Sequence, residues 1–125
     1  MSFPFVHRET VRFRDCDSLG HVNNAVYLTY LEQARVAFLS PHGADYTGMI
    51  LARCEIDFRD QVGVGEEVEV SLWPTRVGTK SFELAYEMRV GDRLVAEAKT
   101  VLVAYDYESE RSRPVPDDWR KLLSG

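Results

Sequence analysis

Between Asn24 and Phe38 the apolar positions fall at helical spacing. Tyr27, Leu31, Ala34 and Phe38 are four, three and four residues apart, which is one face of an α-helix, and Tyr30 and Ala37 widen that face. Asn23 or Asn24 suits the N-cap, because an asparagine side-chain oxygen accepts from the unpaired amides of a first turn. Pro41 and Gly43 stop the helix, and PHGADYTG (41–48) reads as a connecting loop. The pattern therefore predicts a helix over about residues 24 to 40, roughly 25 Å long.

Elsewhere the period is two. Val11 and Phe13 alternate with Arg12 and Arg14, predicting a short first strand over about residues 6 to 14. After the helix, Ala52, Cys54, Ile56 and Phe58 oppose Arg53, Glu55, Asp57 and Arg59. Gly63 and Gly65 mark a turn, and Val68, Val70 and Leu72 then alternate with Glu67, Glu69 and Ser71. Pro74 lacks an N–H and should bend or end that strand, or sit at an edge or bulge. Phe82, Leu84, Tyr86, Met88 and Val90 give the cleanest alternation, and Gly91–Asp92 is a two-residue hairpin signal. The last strand, about Leu94 to Tyr105, is apolar on both faces around Val101 to Ala104, so it should be central or covered on both sides. Asp117 is placed to cap a short terminal helix that docks Trp119 and Leu122. A helix apolar on one side needs a sheet to bury it, so an α+β fold is expected, with an antiparallel sheet curled around one helix. An uncovered edge strand invites a second chain, hence dimerisation.

The 125 residues show no linker, repeat or low-complexity tract, so one domain over residues 1–125 is expected. A net charge of -5 argues against nucleic acid or an anionic membrane surface as a bulk partner. No run is long and apolar enough for a membrane span, and no secretory leader is read at the N-terminus. Cys16 and Cys54 fit neither a metal spacing nor a disulfide framework, which reads as reduced thiols in a cytoplasmic protein. No metal or cofactor is expected, since metal-ligand spacing, the P-loop and the dinucleotide glycine fingerprint are all missing from the sequence. G-x-S-x-G is missing too, and Cys16 lies between two aspartates whose charge disfavours a thiolate.

The remaining chemistry concentrates just before the helix. Asp15 and Asp17, separated by one residue, lead through Gly20 and His21 to Asn23–Asn24. A carboxylate beside a helix N-terminus can attack a carbonyl or activate water while backbone amides hold the oxyanion. It can equally cap the loop, or pair with Arg12, Arg14 or Arg35, and the bare pattern favours that structural role. His21 is a candidate general acid or hydrogen-bonding partner, although a lone loop histidine is more often structural. His7 and His42 read as surface residues. Glu32 and Arg35 suggest an intrahelical pair, with Glu32 as an alternative second carboxylate. The stripe containing Tyr27 reads as core, part of which can wall an acyl tunnel. Arg59, Arg76, Lys80 and Arg89 read by default as solvated, with Arg59 and Lys80 carried as candidate substrate contacts.

The run R-x-R-D-x-D-x-x-G-H-V-N-N-x-x-Y-x-x-x-x-E-x-A-R, Arg12 to Arg35, resembles the hotdog-fold acyl-CoA thioesterases of the 4-hydroxybenzoyl-CoA thioesterase-like group. The likeness continues more weakly over about residues 8 to 107. The resemblance implies a five-stranded antiparallel sheet wrapped around one long helix. It implies a homodimer joined sheet edge to sheet edge, often a dimer of dimers, with the site at the subunit interface. It implies hydrolysis of acyl-CoA or acyl-carrier-protein thioesters, with Asp17 as nucleophile or general base. The helix-start amide at Asn24 or a neighbour would polarise the carbonyl, and Gly20, His21 and Asn23 would shape the site. GHVNN looks more like a long-chain or general acyl branch than an aromatic one. One departure stands out: Arg59-Asp60-Gln61 occupies a position where many relatives carry a proline after the arginine. A non-catalytic acyl-thioester binding or assembly module is the competing expectation.

Overall fold

The computed structural model describes residues 3–42 and 48–125. Five strands, β1 (Phe5–Thr10), β2 (Met49–Phe58), β3 (Glu67–Val77), β4 (Ser81–Val90) and β5 (Arg93–Asp106), form an antiparallel sheet in the order β1-β3-β4-β5-β2. A two-residue strand that the sequence did not announce, β6 (Arg111–Ser112), adds to β5. Helix α1 (Asn24–Leu39) lies against β1 and β3, and a short α2 (Asp117–Leu123) follows β6. The fold is α+β with an antiparallel sheet.

The strongest periodicities survive unchanged. Tyr27, Tyr30, Leu31, Ala34 and Phe38 of α1 are buried in one cluster with Val68, Val70 and Leu72 of β3 and Phe82, Leu84, Tyr86 and Met88 of β4. Asn23 caps α1, its Oδ1 accepting from Ala25 N at 2.9 Å. The helix ends at Leu39 and passes into a 3-10 turn, Ser40–His42, while Gly43 lies outside the described residues. Pro74 sits at a bulge: Pro74 pairs with Leu84 and Arg76 with Glu83, leaving Thr75 as the extra residue. The two-residue turn at Gly91–Asp92 joins β4 to β5, which is central between β4 and β2 as its apolar faces require.

Three expectations are corrected. The first strand stops at Thr10 rather than near residue 14. Asp15 captures the Arg12 N–H at 3.0 Å, closing a 3-10 turn over Phe13–Asp15 and leaving Phe13 87% exposed. The β2 alternation is broken at Ala52, the extra residue of a bulge between Leu51 and Arg53, so only Cys54 and Ile56 of the predicted stripe pack on the core. Asp117 is the first helical residue of α2 and makes no side-chain cap, though Trp119 and Leu122 do dock.

One further bulge positions the site. Met88 pairs with Ala96 and Arg89 with Leu94, so Val95 is extra. Its carbonyl accepts from both Arg59 N (2.9 Å) and Asp60 N (3.2 Å), which ends β2 and turns the chain toward the loop before α1.

Candidate active site

Two loops interlock at the start of α1. The first, residues 15–23, folds on itself through Asp17 N to His21 O (2.8 Å) and Gly20 N to Asp17 O (3.0 Å). Gly20 adopts φ +80, a left-handed conformation that glycine takes without a Cβ penalty. The second, residues 60–66, is joined to it by Val22 N to Val62 O (2.8 Å) and by a bridge between His21 and Gly63. Between them lies a cavity of about 440 Å³ whose lining includes Asp17, His21, Asn24, Tyr27 and Arg59.

The two aspartates are held differently. Asp15 is buried. Its Oδ2 accepts from Arg12 N at 3.0 Å and from the Tyr30 hydroxyl at 2.8 Å, and its Oδ1 from Arg12 Nη2 at 3.3 Å. Burial alone would push its pKa up, but the Arg12 amide, the Tyr30 hydroxyl and the Arg12 guanidinium outweigh that and hold it below the ordinary carboxylate value. Of the pairings open in the sequence, Arg12 is the one formed. Asp17 is exposed, and its Oδ1 accepts from Leu19 N (2.9 Å) and His21 N (3.4 Å). Its Oδ2 has no hydrogen-bond partner among the described residues.

The helix start supplies a donor. The Asn23 side chain takes the Ala25 amide and the Asn23 carbonyl takes the Val26 amide at 2.9 Å. The Asn24 amide precedes the first intrahelical bond and keeps no acceptor among the described residues. Asn24 itself lines the cavity. Asp17 and Asn24 thus line one cavity, and a carboxylate near a helix N-terminus is suited to attack on a carbonyl with stabilisation of the oxyanion.

The other sequence candidates fall variously. Gly20 and Asn23 shape the loop and cap the helix rather than line the cavity. Tyr27 lines it edge-on to Phe58, ring centroids 5.1 Å apart, while its hydroxyl donates to Asp60 O at 3.0 Å. Burial first, then the Asp60 charge, raises the Tyr27 pKa. Arg59 reaches the cavity but is also paired with Glu97 at 3.0 Å. Lys80, in the β3–β4 turn, is not brought there. No Glu32–Arg35 ion pair forms among the described residues: Arg35 is buried, donating to the Tyr86 hydroxyl at 3.3 Å, and Glu32 lines a separate cavity of about 220 Å³. Among the described residues no group of three or more His, Cys, Asp or Glu is placed to hold a metal.

Sequence reasoning missed the wall opposite Asp17. Asp60 and Gln61 line it, and Arg93 clamps their loop, donating to Gln61 O at 2.7 Å and Glu66 Oε2 at 2.8 Å and lying 3.4 Å from Asp60 Oδ2. The Gln61 amide draws the Asp60 pKa down, burial opposes it, and Arg93 adds to the lowering. The missing proline after Arg59 was the only signal in the sequence.

The family model described as the thioesterase-like superfamily matches residues 11–123. The chain belongs to that superfamily. Among solved structures, this thioesterase-like chain superposes on a thioesterase from Thermus thermophilus, complexed with coenzyme A and Zn, at 33% identity and a TM-score of 0.88, covering 97% of this chain and 92% of that one. A 1,4-dihydroxy-2-naphthoyl-CoA hydrolase from Nostoc punctiforme is 29% identical over 122 residues, spanning 91% of this chain and 82% of the relative. A 1,4-dihydroxy-2-naphthoyl-CoA thioesterase from Synechocystis shares the fold, with a TM-score of 0.86 at 23% identity over 96% of this chain and 95% of that one.

Proposed function

We propose that this thioesterase-family chain hydrolyses acyl-CoA thioesters, with Asp17 as nucleophile or general base and the Asn24 amide as oxyanion donor. The observation that supports the reading is the shared cavity, which both Asp17 and Asn24 line. His21 and Tyr27 shape its walls, and Arg59 offers a positive charge to the substrate. Either Asp17 takes a proton from water as the water adds to the thioester carbon, or Asp17 itself adds and water then cleaves the resulting acyl-aspartyl anhydride. In both routes the carbonyl oxygen gathers charge against the amide, the C–S bond breaks, and the carrier leaves as a thiolate that picks up a proton.

The acyl group we favour is compact and aromatic. Phe58 stands 43% exposed against Tyr27 in the cavity, a surface that an aromatic ring can cover, and the Nostoc relative is named for an aromatic CoA ester. The GHVNN reading toward long-chain or general acyl groups is the competitor.

A homodimer accompanies this proposal, with dimers of dimers as its extension and the cytoplasm as its location. The outer edge of β2 pairs with nothing among the described residues and carries Leu51 (46% exposed) and Phe58. No described helix is long and apolar enough to cross a membrane.

The test is thiol release across a panel of aromatic and straight-chain acyl-CoA and acyl-carrier-protein thioesters, with calorimetric binding on the same panel. Turnover fastest on aromatic CoA esters is expected. Tight binding without release of thiol would establish the non-catalytic module instead.

A further inference from the structure

We propose that the Tyr30 hydroxyl is a positioning group: acting through Asp15, it keeps the Asp17 carboxylate in register with the Asn24 amide. The inference rests on the thioesterase reading above. Tyr30 is 2% exposed and its ring fills the core, a task phenylalanine would perform equally well. The hydroxyl has a separate partner, Asp15 Oδ2, at 2.8 Å. Asp15 is thereby tied to the helix twice, because its backbone carbonyl accepts from Asn23 N at 3.0 Å, the residue that caps α1.

This double tie matters because it joins the start of the loop to α1, whereas the hydrogen bonds of residues 17–22 run within the loop or to the 60–66 loop. Residues 17–20 are exposed, and Gly20 is at φ +80. Without the Tyr30 hydroxyl the Asp15 carboxylate keeps Arg12 alone, and the Arg12 side chain is 57% exposed. The start of the loop is then joined to α1 by the Asn23 N–H to Asp15 carbonyl bond alone and can shift about it. Asp17, two residues on, moves with it, while Asn24 stays with the helix.

Tyr30→Phe tests this on the thioester that the wild type cleaves best. The expected result is kcat lower by about tenfold, because small misplacements of reacting groups are costly, with KM kept within about twofold. Amide hydrogen exchange gives a second readout. Exchange should quicken at Asn23, whose N–H donates to Asp15, and stay the same at Val22, whose N–H donates to Val62. A lower melting temperature with kcat retained means a merely structural hydroxyl and overturns the proposal, as does a loss carried by KM alone. If the wild type cleaves no thioester, the proposed activity fails separately and exchange decides: faster exchange confined to Asn23 supports the tie, and equal rates overturn it.

Discussion

Asp15 and Asp17 are the same residue type, two positions apart, on one loop, yet the fold treats them oppositely. Asp15 is 5% exposed and fully engaged by Arg12 and Tyr30. Asp17 is exposed, uses one oxygen to cap the turn, and lines a cavity that Asn24 lines too. The difference is one of solvent and partners, not of chemistry: a carboxylate whose lone pairs are taken up holds the structure, and one with a spare oxygen is free to react.

That contrast can be strained from the structural side first. Asp15→Ala should cost about 3 kcal/mol of folding stability, because it leaves the Tyr30 hydroxyl buried without an acceptor and removes the ion pair with Arg12; denaturant unfolding measures it. The acid limb of stability gives a second measure. The Asp15 pKa lies below its ordinary value of 3.8, so its contribution is complete above about pH 4 and is lost as pH falls through the lowered value. Asp15→Asn should therefore be less stable at neutral pH and should lose less further stability between about pH 4 and pH 2 than the wild type.

Smaller effects come from the scaffold around Asp17. Gly20→Ala should cost about 1 kcal/mol, since φ +80 strains any side chain even with nothing within 4 Å of the new Cβ. Arg93→Ala loosens the wall carrying Asp60 and Gln61; we expect KM to rise about threefold with kcat retained, the rise being smaller in high salt because the clamp's ion pairs are partly solvated and already screened there.

How much of this was legible in the chain follows from the reach of each interaction. The α1 face and the β3 and β4 alternations are local periodicities, and the missing N–H of Pro74 announced an irregularity in β3, of which the bulge was one of the forms expected. Asp17, His21, Asn24 and Tyr27 were legible as a group because they lie within one run. The end of β1 was not, because Val11 to Arg14 alternate as a strand would until Asp15 takes the Arg12 amide. The bulges at Ala52 and Val95 and the Arg93 clamp join residues remote in sequence, such as Arg93 and Gln61, and no local pattern encodes them. Lys80, chosen for its charge alone, falls at the β3–β4 turn outside the cavity.

The most direct measurement is Asp17→Asn, assayed for thioester turnover and for unfolding free energy on one preparation. Asparagine keeps an oxygen for the Leu19 amide but cannot serve as base or nucleophile. The account predicts kcat lower by about 100-fold or more, with unfolding free energy within about 0.5 kcal/mol of wild type. Retained turnover, or a loss of activity matched by a loss of fold, would contradict it.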